Sequence, residues 1–210
     1  MILPLALAGL AAWAWRSRGR PMTTLHGPTR WVAELAETAG PIARAAGVPL
    51  SLALAQAALE SAWGKRAPGH NLYGLKGTGP AGSVTVATTE QPEPGKAVAI
   101  RAKFRAFADD GQAVAAWSSY IKAPRNVPPG GAKSAGAWLA WYWSQGYATA
   151  AKYPQAVVAV SRSVAKRLGR PELAIVLSPA VLDIVTQLGK LPAAKRRKAA
   201  QTIAAKGWPA

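Results

Sequence analysis

LALAQAALESAWGKRAPGHNLYGLKG, residues 52–77, is the stretch on which the reading of this chain turns. It opens as a helix and closes as a loop broken by glycines. Leu52, Leu59 and Trp63 fall on one side at helical spacing, while Gln56 and Glu60, four residues apart, share a neighbouring side. The spacing predicts a helix over residues 51–63 that stops at Gly64. Glu60 then sits near the C-terminal end of an otherwise apolar helix. Apolar neighbours disfavour the charged form of a carboxyl. The negative end of the helix dipole disfavours it again. A glutamic acid kept protonated near neutral pH is the proton donor that glycosidic cleavage requires. Position alone favours a solvent-facing glutamate at a helix end.

Composition narrows the chemistry around that stretch. The 210 residues suit one compact domain with appendages. Twenty-six Lys and Arg against nine Asp and Glu give a formal charge of +17, which attracts polyanions such as nucleic acid, anionic lipid or an acidic cell wall. The same charge also serves solubility. With no cysteine there are no disulfides, thiolate nucleophiles or Cys-ligated zinc. His26 and His70 are the only imidazoles, so no metal site and no cofactor is expected. No serine stands in a nucleophile elbow and no glycine run forms a phosphate loop. Acid–base chemistry must come from Glu34, Glu37, Glu60, Glu90, Glu93, Asp109, Asp110, Glu172 and Asp183.

The remaining chain reads as follows. Residues 1–15 carry no charged side chain and lead into Arg16, Arg18 and Arg20. This segment, taken with its flank as residues 1–20, is expected to anchor in or insert into a membrane, with a cleaved signal as the rival. Residues 21–29 read as a linker, and a helix starts near Arg30 with a break at Gly40-Pro41. Val84 and Val86, then Val98, Ile100 and Phe104, alternate with other residues as a hairpin does, joined through residues 91–96. Further helices are expected over 111–122 with an aspartate cap, 134–145, 153–168, 172–188 and 193–206. Mostly helix with one small hairpin is an α+β arrangement. Trp63, Trp117, Trp138, Trp141 and Trp143 are expected in the core. The basic run Lys195-Arg196-Arg197-Lys198 belongs to an extension, 171–210, expected to favour anionic surfaces without taking part in catalysis.

Several motifs in order resemble the glucosaminidase family, glycoside hydrolase family 73, across residues 30–170. They are Ala55-Gln56, Leu59-Glu60-Ser61, Trp63-Gly64, Asn71-Leu72-Tyr73-Gly74-Leu75-Lys76-Gly77, Thr88-Thr89-Glu90, Lys103-Phe104-Arg105-Ala106-Phe107 and Gly146-Tyr147-Ala148-Thr149, with Tyr153 beyond. The resemblance implies a lysozyme-like fold with a helical lobe, a small β-hairpin lobe and a cleft between them. It implies hydrolysis of the β-1,4 bond between N-acetylglucosamine and N-acetylmuramic acid in peptidoglycan glycan strands. Glu60 matches the family's general acid, Glu90 its second acidic residue and Tyr147 a tyrosine of the cleft. Asn71, Tyr73 and Gln56 are the expected substrate-binding residues, and Asn71 has orienting the hairpin or the Glu60 carboxyl as its alternative. After Glu90 the sequence departs from the family, reading Gln91-Pro92-Glu93-Pro94-Gly95, so Glu93 is the alternative second acid; Ala150 stands where the family has aspartate.

Rival readings stay open at this stage. A muramidase or lytic transglycosylase of related fold would use one glutamate in the same way. A non-catalytic module for wall or membrane binding would keep the fold alone. No recognised nucleic-acid motif accompanies the charge, so no specific nucleic-acid partner is expected. The expected location is the cell envelope or a virion membrane, with secretion as the alternative.

Overall fold

The computed structural model describes residues 25–93 and 96–209, and the side chains of residues 88–97 lie outside that description. The apolar segment 1–20 and the first part of the linker reading, residues 21–24, are also outside it. Among the described residues no helix is long and apolar enough to cross a membrane.

Helix α2 (Leu50–Glu60) is the centre of the molecule. Every residue from Ser51 to Ala58 is buried, as expected of a helix apolar nearly all round. Its alanines let α1 (Gly27–Ala46), α4 (Ala135–Ser144) and α5 (Tyr153–Leu168) pack against it on different sides. Helix α1 begins three residues before the expected start and runs through Gly40-Pro41 without stopping. Pro41 is exposed, and so is Glu37, whose carbonyl loses its partner to the proline on a face of the helix open to solvent, where such a loss is tolerated. Helix α3 (Asp110–Ile121) is capped by the Asp109 carboxylate on the Gln112 N–H at 2.8 Å, and it lies against α1. Trp117, Trp138, Trp141 and Trp143 are core residues, as expected, while Trp63 is partly buried between Trp31 and Arg167.

Helix α2 ends at Glu60, earlier than the periodicity suggested. The Ala62 N–H reaches the Leu59 carbonyl and the Trp63 N–H reaches the Ala58 carbonyl at 2.8 Å, which is a Schellman reversal. Ala62 and Trp63 hold φ of 50° and 61°, a left-handed backbone in which glycine is usual. Trp63 therefore belongs to the turn. Ser61 accepts the Gly64 N–H, and Gly64 lies so close to the Trp31 indole that no side chain fits there.

Strands β1 (Ser83–Glu93) and β2 (Lys96–Arg105) form the antiparallel hairpin, longer than expected and with a shorter connection. Val84 faces Phe104 and Glu90 faces Val98 in the register, which slips between Glu90 and Glu93. Pro92 sits in that slip, where it has no N–H to give the ladder.

The C-terminal part departs most from expectation. Residues 171–178 hold only a short 3-10 turn, Pro171–Leu173; α6 (Pro179–Gly189) starts later, where Ser178 caps and Pro179 fixes the first turn. Helix α7 (Ala193–Ala204) is not an appendage. It packs on α4 together with α6, Arg196 is 2% exposed, and the Trp208 indole N–H donates to the Ala137 carbonyl. Lys195, Arg197, Lys198 and Lys206 do face solvent, so one cation of the basic run is internal and its neighbours are not.

Candidate active site

The residues between α2 and the hairpin build the floor of a cleft. Asn71 is buried and fixes this loop from both sides. Its amide donates to the carbonyls of Leu75 and Arg105, and its oxygen accepts the Leu75 N–H. The Gly77 N–H reaches the Lys103 carbonyl and the Arg105 N–H reaches the Leu75 carbonyl, so the loop runs along the free edge of β2. These bonds join the loop that follows the Glu60 helix to the β lobe. Gly74, at φ 63°, passes beside Glu60, whose Oε2 would be 3.7 Å from a Cβ placed there. Its missing side chain leaves the carboxyl reachable.

The cleft has a volume of about 450 Å³. Glu60 opens into it. The opposite wall comes from residues 146–150, and Lys76 and Arg105 line the β side. All five tyrosines of the chain gather here. Tyr73, Tyr120, Tyr147 and Tyr153 line the cleft, and Tyr142 meets Tyr147 edge to face at 5.2 Å. Tyr73 stacks on Trp117 at 4.8 Å, and the Tyr147 hydroxyl donates to the Tyr73 carbonyl at 3.0 Å. That last bond spans the cleft floor and sets its width.

Glu60 is held from behind. The Tyr153 hydroxyl donates to its Oε1 at 2.7 Å and accepts from the Gln56 Nε2, also at 2.7 Å. The carboxyl is exposed toward the cleft, yet the packed tyrosines behind it displace water. Desolvation raises its pKa above the ordinary carboxylate value, and the Tyr153 hydrogen bond partly offsets the rise. Burial pushes the Tyr142, Tyr147 and Tyr153 hydroxyls up, and the nearby Glu60 charge adds to this. All three therefore remain proton donors at neutral pH. A carboxyl whose pKa is raised beside an open cleft is suited to protonate a leaving oxygen.

The expected site residues distribute as follows. Glu60, Tyr73 and Tyr147 line the cleft. Gln56 and Asn71 do not. Gln56 is fully buried, and its amide donates to the Tyr153 hydroxyl. Asn71 ties the loop to β2 for the reason given above. Glu90 lies in β1, seven residues along from Ser83, and the side chains of both Glu90 and Glu93 fall outside the described residues. Tyr153 was visible as a motif residue but not as a partner of Glu60. Among the described residues no three His, Asp or Glu gather as a metal site.

A family model described as mannosyl-glycoprotein endo-beta-N-acetylglucosaminidase matches residues 36–166, more than half of the sequence. The chain belongs to this glucosaminidase family. Peptidoglycan hydrolase FlgJ of Escherichia coli O157:H7 is 40% identical over 101 residues, which are 44% of this chain and 29% of that protein. An autolysin of Enterococcus faecalis is 40% identical over 73 residues, 33% of this chain and 10% of that protein. The chain thus spans less than a third of the length of either curated relative. Among solved structures, the C-terminally truncated glycoside hydrolase domain of Salmonella typhimurium FlgJ is 30% identical with a TM-score of 0.52, and the match covers 67% of this chain and 99% of that one. A mutant peptidoglycan hydrolase from Sphingomonas sp. A1 is 28% identical with a TM-score of 0.57, covering 67% and 98%. The fold is lysozyme-like, and the family is one of glycoside hydrolases. The matched residues end before α6 and α7.

Proposed function

We propose that this chain is a peptidoglycan hydrolase that cuts the β-1,4 bond between N-acetylglucosamine and N-acetylmuramic acid, with Glu60 as its general acid. The observation that carries the reading is Glu60 itself, open to the cleft, held by Tyr153 and raised in pKa by burial. Family membership and the peptidoglycan hydrolases among its relatives support the substrate class. The cleft also suits it electrostatically. Lys76 and Arg105 face the space beside Glu60, and N-acetylmuramic acid carries a carboxylate.

In this mechanism the protonated Glu60 gives its proton to the departing glycosidic oxygen, and the sugar ring becomes positively charged. Glu90 stabilises that charge or activates the water that completes hydrolysis, with Glu93 as the alternative. Tyr147 fixes the opposite wall and orients the sugar. No cofactor takes part. The enzyme works at the cell envelope, where its substrate lies, and residues 1–15 contact a membrane; removing residues 1–20 should lower liposome flotation and leave cleavage intact.

The test is digestion of purified peptidoglycan with mass analysis of the fragments, run beside Glu60→Gln. The expected product carries reducing N-acetylglucosamine, and Glu60→Gln should lose about 10²–10⁴-fold in rate with its fold retained. Reducing N-acetylmuramic acid or an anhydro sugar would overturn the bond assignment. Glu60→Gln activity within threefold of the unmodified protein would remove Glu60 from its role.

A further inference from the structure

Arg196 is an odd residue to find inside a small protein. It is 2% exposed, and among the described residues no carboxylate pairs with it. Burial of an arginine is costly unless its donors are satisfied. A leucine or methionine would fill the same space more cheaply, so packing alone does not account for it. What a guanidinium offers that they lack is donors in a fixed plane.

Those donors have specific destinations. Nη1 donates to the Thr149 carbonyl at 2.8 Å, and Nε donates to the Leu191 carbonyl at 3.1 Å. The guanidinium also lies 4.8 Å from the centre of the Trp143 ring. The Trp143 indole N–H in turn donates to the Ala150 carbonyl at 3.0 Å. Two consecutive carbonyls of the cleft wall are thereby fastened, one by Arg196 and one by the ring that Arg196 covers. The segment they belong to, residues 146–150, carries Tyr147 into the cleft. Helix α7 is itself held at its far end by Trp208, which meets Trp141 edge to face at 4.9 Å, and it also lies alongside β1 of the other lobe.

We propose that Arg196 is a positioning residue of the active site, and that α7, which lies beyond the family-matched residues, is part of the working catalytic unit because it fixes the wall segment bearing Tyr147. The proposal rests on the cleft being the site of hydrolysis. Tyr147 keeps its place through a hydrogen bond at its tip to the Tyr73 carbonyl, ring contacts with Tyr120, Tyr142 and Tyr153, its own N–H on the Tyr142 carbonyl, and the anchoring of its backbone downstream. Without the Arg196 anchor, the segment 146–150 samples more conformations and the wall opens to water. Substrate still binds along the remaining cleft, but the geometry around Glu60 is reached less often. Loss then falls on kcat more than on KM.

The experiment compares the full chain with Arg196→Met and Arg196→Lys. Amide hydrogen exchange read by mass spectrometry should rise at least about tenfold in peptides covering residues 146–150 of Arg196→Met, with the peptides of α2 unchanged. On a soluble glycan fragment, kcat should fall about tenfold or more while KM stays within about threefold. Exchange unchanged at 146–150, exchange raised equally throughout the molecule, or kcat within threefold of the unmodified protein would overturn the proposal. If Arg196→Met does not fold, Arg196→Lys carries the test, because lysine keeps the charge but lacks the planar pair of donors. Its exchange at 146–150 should rise and its kcat fall at least about threefold at native melting temperature; unmodified values of both would overturn the proposal. Failure of the functional reading looks different. In that case the unmodified protein releases no glycan fragments or Glu60→Gln remains active, while the exchange comparison still decides whether Arg196 fixes the wall.

Discussion

Replacing Tyr153 by Phe removes one oxygen and disturbs two neighbours in opposite ways. The ring stays, with its contact to Tyr147 at 5.8 Å, so the aromatic wall keeps its shape. The oxygen currently donates to Glu60 and accepts from Gln56. Its loss leaves the Gln56 amide donor without its acceptor in a fully buried position, where Gln56 Oε1 already has no partner. A stranded buried donor costs about 1–3 kcal/mol. For a domain of this size that is a fall of about 2–12 °C in Tm. Gln56→Leu combined with Tyr153→Phe removes donor and acceptor together, so the double variant should recover much of that loss. The effect on Glu60 runs the other way. The Tyr153 hydrogen bond favours the ionised carboxyl and holds its pKa down against desolvation. Without it the pKa rises further, so Glu60 keeps its proton to higher pH. The alkaline limb of the kcat/KM profile on a soluble glycan fragment should therefore move to higher pH in Tyr153→Phe. Thermal melts of the three proteins and that pH profile make the assay. A limb that stays in place or moves down, or a double variant less stable than Tyr153→Phe, would refute the relay of Gln56, Tyr153 and Glu60.

Glu60→Gln should also change the pH dependence of stability. The folded state holds the Glu60 proton at pH values where the unfolded chain has released it, so the native protein loses stability as pH rises from the unfolded carboxyl pKa through the raised folded one. Urea unfolding across that range should show the variant gaining on the native protein and then levelling off; a variant that loses ground to the native protein as pH rises contradicts the burial argument. Ala62→Gly should raise stability by roughly 1 kcal/mol, because alanine at φ 50° carries a left-handed penalty that glycine lacks, and a denaturant midpoint that falls would show the turn to be unstrained. Glu90→Gln should lower kcat more than it raises KM, since its proposed work lies in the transition state; damage from Glu93→Gln alone would show that the slip between the two places Glu93 at the sugar.

Glu60 was legible in the sequence because its signals are local. An apolar helix, a glycine stop and a loop motif all lie within residues 52–77. The α+β class followed from periodicity that tertiary packing did not override. Gln56 shares a neighbouring face with Glu60, but the helix ends at Glu60, and only that last turn reaches the cleft while the turn before it is sealed by α5. For Asn71 the sequence left substrate binding, the hairpin and the Glu60 carboxyl all open, because its bond to the Arg105 carbonyl depends on a strand 34 residues away. Tyr153 meets Glu60 across 93 residues, a separation over which spacing carries no information. Arg196 was hidden by its neighbours. Four basic residues in a row read as a solvated face, and nothing within the run distinguishes the one that α4 and Thr149 cover.

The long reach of these contacts gives the chain a timetable. On a translating ribosome Glu60 emerges 93 residues before Tyr153, and Thr149 emerges 47 residues before Arg196. At about 5–20 residues per second the first interval lasts roughly 5–19 s and the second roughly 2–9 s. Throughout the first, Glu60 lacks the Tyr153 hydroxyl that holds it in the folded protein. Throughout the second, the wall across from it has no clasp. The contacts that shape the cleft are thus completed only late in synthesis, on a schedule set by polymer length.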